Sequence, residues 1–108
     1  MKLSDKVSKY GRKLIVNEGI KLMRFSKEVN TYCPLGKNIT TKKVEVILEY
    51  GEYIPDLGDI EDYFKELEGD SLINEDLLLS VKRFFNYIEP KNVTVRVFSS
   101  AHFELEVQ

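Results

Sequence analysis

The chain has 108 residues, of which 43% are hydrophobic and 31% charged, a composition typical of a soluble domain with one modest core. No apolar run approaches the roughly 18 residues that a membrane-spanning helix needs, and the opening residues lack the apolar stretch of a secretory signal. We therefore expect a cytoplasmic protein with no membrane association. The single cysteine excludes an internal disulfide and the paired cysteines of a zinc site, so no metal is expected.

The net charge of −2 hides an uneven distribution along the chain. Residues 1–43 carry eleven Lys or Arg and three acids, whereas residues 44–108 carry five against fifteen. A basic segment of this kind is typical of phosphate binding, as in RNA recognition. The candidate phosphate or RNA contacts are Lys6, Lys9, Arg12, Lys13 and Lys37. The alternative is that the two parts neutralise one another, within the chain or between subunits.

The first half of the sequence predicts one helix followed by two strands. Apolar residues recur at helical spacing over residues 4–16, behind a Ser4-Asp5 cap signal, which predicts a basic amphipathic helix in an N-terminal extension of residues 1–19. Residues 20–108 are then expected to form a single domain. Residues 20–29 are predicted to form a strand, residues 30–41 a loop, and residues 44–50, with clean alternation of apolar and polar side chains, a second strand.

The second half predicts two helices and a terminal hairpin. A helix with apolar residues from Ile60 to Leu67 is expected behind an Asp59 cap, and a longer one behind Asn74, reaching Ile88. Alternating residues over 93–97 and 103–107 predict two paired strands. The order strand-strand-helix-helix-strand-strand predicts an α+β fold, with both helices on one face of an antiparallel sheet. Such a sheet has open edges, which favours a homo-oligomer.

The only cysteine, Cys33, lies in a turn-rich stretch, Thr31 to Asn38, ahead of the strongest strand pattern. A thiolate is a strong nucleophile, and a partly exposed, electropositive setting near Lys37 favours that form of the side chain. The alternative is that Cys33 is a small buried hydrophobe, as free cysteines often are.

Three short motifs resemble those of one enzyme family. They are Cys33-Pro34 in the loop, Tyr53-Ile54-Pro55 after the second strand, and Ile73-Asn74-Glu75-Asp76 at the start of the long helix. In order and spacing they are similar to the nitrile-handling tunnelling-fold (T-fold) proteins: 7-cyano-7-deazaguanine reductase and, more closely, the QueF-like archaeosine synthases, which are amidinotransferases. The resemblance covers about residues 25–107. It implies a T-fold domain and a role in tRNA modification.

The resemblance also implies roles for individual residues. Cys33 would attack the nitrile carbon of 7-cyano-7-deazaguanine to form a thioimide, and Glu75, with Asn74 beside it, would grip the guanine-like edge of the base. In the archaeal enzymes the base lies in tRNA, and nitrogen from ammonia or glutamine completes the amidine of archaeosine. The reductase instead uses NADPH and a Glu-Ser-Lys-Ser stretch that this chain lacks. Residues 56–62 are rich in acids and unsuited to a cofactor phosphate, so no cofactor is expected.

The sequence departs from the family pattern at two positions. Thr40 stands seven residues after the cysteine, where the family has a proton-shuttling aspartate, and Asn74 replaces a histidine. Asp56 or Asp59, from this or a neighbouring subunit, could substitute for the missing acid. The sole histidine, His102, is expected at the surface of the final hairpin. A non-catalytic module that binds deazapurine, pterin or RNA is therefore the alternative function, with nitrile reduction a weaker one.

Overall fold

The computed structural model describes residues 2–99 and 103–108, which form seven strands, two α-helices and one short 3₁₀ helix. No helix in these residues has the length and apolar character needed to cross a membrane. The elements are β1 (Leu3–Val7), β2 (Lys13–Val16), β3 (Leu22–Cys33), β4 (Asn38–Glu49), β5 (Tyr53–Ile54), α1 (Leu57–Leu67), α2 (Asn74–Phe84), the 3₁₀ helix Phe85–Ile88, β6 (Asn92–Phe98) and β7 (Glu104–Val107).

A four-stranded antiparallel sheet with the order β3-β4-β6-β7 forms the centre of the domain. Strands β3 and β4 pair over twelve residues each, from Leu22 opposite Glu49 to Cys33 opposite Asn38. One face of this sheet is apolar and packs against the helices. Phe25 of β3, for example, contacts the rings of Phe64 and Phe85 edge-on. The predicted α+β fold with an antiparallel sheet and two helices is confirmed.

Both helices begin one or more residues away from the predicted caps. Helix α1 starts three residues early because the carboxylate of Asp56 accepts a hydrogen bond from the Gly58 N–H at 3.1 Å, which caps the first turn. Asp59, the predicted cap, is instead a buried residue of that turn. Asn74, the other predicted cap, is the first residue of α2 itself and follows Ile73, which makes no side-chain capping bond.

The predicted N-terminal helix over residues 4–16 is wrong. Strands β1 and β2 form an antiparallel hairpin there, and β2 also pairs with β5 in a three-stranded sheet of order β1-β2-β5. The turn explains the error, because Gly11 adopts φ 79° and the Ser8 hydroxyl accepts the backbone N–H groups of Tyr10 and Arg12, both at 3.2 Å. Leu14 of β2 lies in the same core as the helices, so residues 2–19 do not form the separate helical extension that was predicted.

The loop predicted over residues 30–41 is also much shorter than expected. Strand β3 continues to Cys33 and β4 begins at Asn38, which leaves a four-residue turn. The chain between the helices runs along the end of β3, where the Tyr32 N–H bonds the Asp70 carbonyl at 2.8 Å and the Leu72 N–H bonds the Tyr32 carbonyl at 3.0 Å. These two bonds hold the start of α2 beside the end of β3.

Candidate active site

A cavity of about 290 Å³ opens where the β3–β4 hairpin meets the start of α2. The hydrogen bonds between β3 and the interhelical segment bring these two elements together. Three residues singled out in the sequence, Cys33, Asn74 and Glu75, line this one space although about forty residues of chain separate the first from the others. The remaining lining residues are Leu35, Asn38, Thr40, Ile73, Ser99 and Phe103.

Cys33 is the last residue of β3 and is partly exposed. The Gly36 N–H is directed at its sulfur, with the nitrogen 3.4 Å from Sγ, in the tight turn that follows. A Cβ at Gly36 would lie 2.8 Å from Asn38 Oδ1 and 3.7 Å from the sulfur, so the turn leaves little room for a side chain. Cys33 is therefore not buried among hydrocarbon groups.

Glu75 and Asn74 occupy the first turn of α2, on the opposite wall of the cavity. The Glu75 side chain is exposed and lies in the first turn of the helix. Asp76 is in the same turn but does not line the cavity. The site therefore combines a thiol, a carboxylate and an amide around one cavity.

The substitutes considered for the missing acid do not reach this cavity within the chain. Thr40, at the position of the family aspartate, does line it, but contributes only a hydroxyl. Asp59 is 1% exposed and its Oδ1 lies 2.5 Å from Arg12 Nη1, while Asp56 is 3.5 Å from the same nitrogen. Both belong to the start of α1. His102 lies outside the described residues.

Two of the predicted RNA-contacting residues are occupied by acids of the chain. Lys6 pairs with Glu89 at 2.9 Å, and that hydrogen bond raises the pKa of the lysine. Arg12 binds Asp59 and Asp62, each at 2.5 Å, and so ties the β1–β2 turn to α1. For these two residues, the interpretation that the basic and acidic parts neutralise one another holds.

The other three basic candidates are exposed. Lys13 lies on β2, and Lys37 lies in the turn after Cys33, where it adopts φ 56°. The Lys9 ammonium lies between 5.2 and 5.6 Å from three ring centroids, those of Tyr10, of Tyr63 within α1 and of Phe84 at the end of α2. Of the three, Lys37 is in the turn that borders the cavity.

Lys42 on β4 is a buried cation that the sequence analysis missed. Its side chain is 3% exposed, and its ammonium donates to the carbonyl of Thr31 at 3.2 Å and to the hydroxyl of the same residue. Burial lowers the pKa of Lys42, and negative charge on Cys33 opposes that effect. The alternation of β4 contains the signal, because Lys42 precedes Val44, Val46 and Leu48 on the core-facing side.

No cluster of His, Cys, Asp and Glu that could hold a metal ion occurs in residues 2–99 and 103–108. No family model matches the chain, and no curated protein matches its sequence. Among solved structures, it is similar to the crystal structure of the archaeosine synthase QueF-Like in the apo form, with a TM-score of 0.72 and 20% sequence identity. The match covers 83% of this chain and 92% of that one. The resemblance seen in the sequence is confirmed at the level of the fold, which this chain shares with the QueF-like archaeosine synthase.

Proposed function

We propose that this protein is a tRNA-modifying amidinotransferase that converts 7-cyano-7-deazaguanine in tRNA to archaeosine through a thioimide at Cys33. One observation carries the proposal: Cys33 and Glu75 line a single cavity in a chain with the fold of an archaeosine synthase. The fold alone hosts other chemistry, so the argument depends on what these side chains do.

The first step is addition of the Cys33 thiol to the nitrile. A bond forms between sulfur and the nitrile carbon, one π bond of the nitrile breaks, and the nitrogen takes up the thiol proton, which gives a thioimide without a leaving group. Ammonia then adds to the same carbon, and expulsion of the sulfur leaves the amidine and regenerates the thiol. Ammonia, free or released from glutamine, is the nitrogen donor in this scheme.

Glu75 would hold the base for this attack. A carboxylate accepts two neighbouring N–H groups of an aminopyrimidinone edge as a bidentate pair, and Asn74 offers an amide beside it. A volume of about 290 Å³ suits one bicyclic base, with the rest of the nucleic acid outside.

The turn beside the cavity would offer one cation to a phosphate of the tRNA. Lys37 is exposed in the adjoining turn, and Lys9 and Lys13 are candidates for more distant phosphates. We also propose a homo-oligomer of the T-fold type, because β7 is an edge strand of the described sheet and would pair with another copy. A cytoplasmic location, where tRNA is present, follows from the same proposal.

Intact-protein mass spectrometry after incubation with 7-cyano-7-deazaguanine tests the reaction. The wild-type protein should gain the full mass of the base, because the nitrile adds without losing a group, and should gain thioimide absorbance. Cys33→Ala should gain neither. Glu75→Gln should weaken base binding at least tenfold, whereas Asp76→Asn, one residue along the same helical turn, should bind as the wild type does.

The fate of the adduct separates the candidate functions. Release of an amidine on addition of ammonium to adduct formed on tRNA supports the amidinotransferase. Discharge by NADPH instead would identify a reductase. Binding of the base without any adduct would mean a non-catalytic module and would overturn the proposal.

A further inference from the structure

Lys42 occupies an unusual place in the sheet. Residues of β4 with even numbers from 42 to 48 face the helices, and Lys42 is the charged member of that apolar series. No carboxylate within residues 2–99 and 103–108 forms an ion pair with it. Its ammonium has only Thr31 as a hydrogen-bond acceptor among these residues, and Thr31 is itself fully buried. A buried amine with so little compensation is a costly feature for a small domain.

The side chain of Lys42 extends towards the cavity. In the sheet register Lys42 is opposite Val29, yet its ammonium reaches Thr31, one step closer to the end of β3. Opposite residues of an antiparallel pair share a face, so Thr31 with Thr40 and Cys33 with Asn38 continue the same row. Thr40, Cys33 and Asn38 all line the cavity. Lys42 does not itself line the cavity, but its ammonium lies at the level of the Thr31–Thr40 pair, which is next in the row to Cys33 and Asn38.

The charged groups around this row are few. Cys33 is on β3, and Glu75 is across the cavity at the start of α2. Lys27, further along the same face of β3, is paired with Glu61 of α1 at 2.6 Å. Burial lowers the pKa of Lys42, and negative charge on the Cys33 sulfur raises it.

We propose that Lys42 is the proton-transfer group of the Cys33 site, in place of the aspartate that the chain lacks. The inference rests on the proposed function, since it assigns a residue to that reaction. Burial lowers the pKa of Lys42, and a desolvated lysine gives up and takes up a proton more readily near neutral pH than an exposed one does.

In this proposal, Lys42 alone carries the one proton that moves during the addition. In its unprotonated form, Lys42 would take the proton from the Cys33 thiol as sulfur bonds to the nitrile carbon. The resulting ammonium gives that proton to the nitrile nitrogen, which has gained the electron pair of the broken π bond. The amine is neutral again and the thioimide carries one N–H. No oxidant, reductant or further acid is needed.

Three single variants test the assignment. Lys42→Met removes the amine but keeps most of the volume, and Lys42→Gln keeps a donor for Thr31 but cannot take up a proton near neutral pH. Lys43→Met is the matched control, because Lys43 is the next residue and its side chain is exposed on the other face. Circular dichroism establishes that each variant is folded, and Lys42→Gln serves where Lys42→Met does not fold.

The first measurement is the rate of Cys33 alkylation by iodoacetamide as a function of pH, which needs no nitrile. We expect both Lys42 variants to require a more alkaline pH for half-maximal reaction, by about one pH unit, because the thiolate loses the amine that accepts its proton and faces it as an ammonium. Lys43→Met should follow the wild-type profile. Unchanged profiles in both Lys42 variants would overturn the inference, because a purely structural lysine would change stability without changing this profile.

The second measurement is the single-turnover rate of adduct formation with 7-cyano-7-deazaguanine. Loss of a general base or acid should slow it at least about 100-fold in both Lys42 variants and less than twofold in Lys43→Met. Adduct formation by the Lys42 variants at the wild-type rate would also overturn the inference. A wild-type protein with a Lys42-dependent alkylation profile but no adduct would instead mean failure of the proposed function, with the coupling between Lys42 and Cys33 intact.

Discussion

Arg12 was a candidate RNA contact, yet its geometry makes it a structural residue, and Arg12→Met distinguishes the two roles. Its guanidinium lies 2.5 Å from both Asp59 and Asp62. The side chain of Asp59 is 1% exposed, whereas those of Arg12 and Asp62 are 40% and 37% exposed. Removal of the guanidinium would leave Asp59 as a buried carboxylate with one remaining side-chain donor, the Tyr87 hydroxyl, at a long 3.4 Å.

The expected cost of Arg12→Met follows from these exposures. Breaking a buried ion pair by removing one partner costs about 3–5 kcal/mol of the free energy of unfolding. Because Arg12 is partly exposed, we expect the loss to be at the lower end of that range. The partly exposed pair with Asp62 adds about 0.5 kcal/mol. We therefore expect the free energy of unfolding to fall by about 3 kcal/mol, which for a domain of this size lowers Tm by about 12 °C.

Urea denaturation followed by circular dichroism measures this loss. Asp59→Asn in the Arg12→Met background should recover part of it, because the buried charge is then gone, and a double-mutant cycle should give a coupling of about 2 kcal/mol. Lys13→Met, one residue along and exposed, should stay within about 0.5 kcal/mol of the wild type. An Arg12→Met variant as stable as Lys13→Met, with weaker tRNA binding, would refute the structural role.

Three further outcomes follow from the geometry. Lys42→Met should flatten the pH dependence of the free energy of unfolding, since the lowered pKa of Lys42 makes the wild-type protein gain stability as pH rises towards about 10.4, its value in the unfolded chain, and urea titrations at several pH values measure this. Phe85→Ala should cost about 3–5 kcal/mol in the same assay, because the ring is fully buried. Gly36→Ala should displace the Asn38 side chain, 2.8 Å from the new methyl group, and slow adduct formation several-fold while lowering Tm by less than about 4 °C.

The elements predicted correctly from the sequence are those whose apolar residues recur at a clear spacing. Val44, Val46 and Leu48 alternate cleanly, and the apolar residues of both helices recur at helical spacing, because each element buries one face against the same core. The helix prediction for residues 4–16 was wrong because the spacing of their apolar residues does not distinguish a helix from strands. Tyr10 and Leu14 fit a helix, but the turn at Gly11 and the pairing of β2 with β5, forty residues away, decide in favour of strands.

For the site, the sequence indicated which residues matter but not how the chain brings them together. Cys33 and Glu75 could be proposed from the sequence because their chemistry and the family motifs indicate them, although only the pairing of Tyr32 with the interhelical chain explains how they meet.

The burial of Lys42 could have been predicted from the alternation in β4, because Lys42 falls on the same face as the core residues. It was instead counted as part of the basic N-terminal segment. A positive charge in that segment suggested phosphate binding, whereas the position of Lys42 in the strand buries its side chain against Thr31. In a small domain, a buried lysine without an acidic partner among the described residues lowers stability, and this cost favours the proposal that Lys42 serves the Cys33 site.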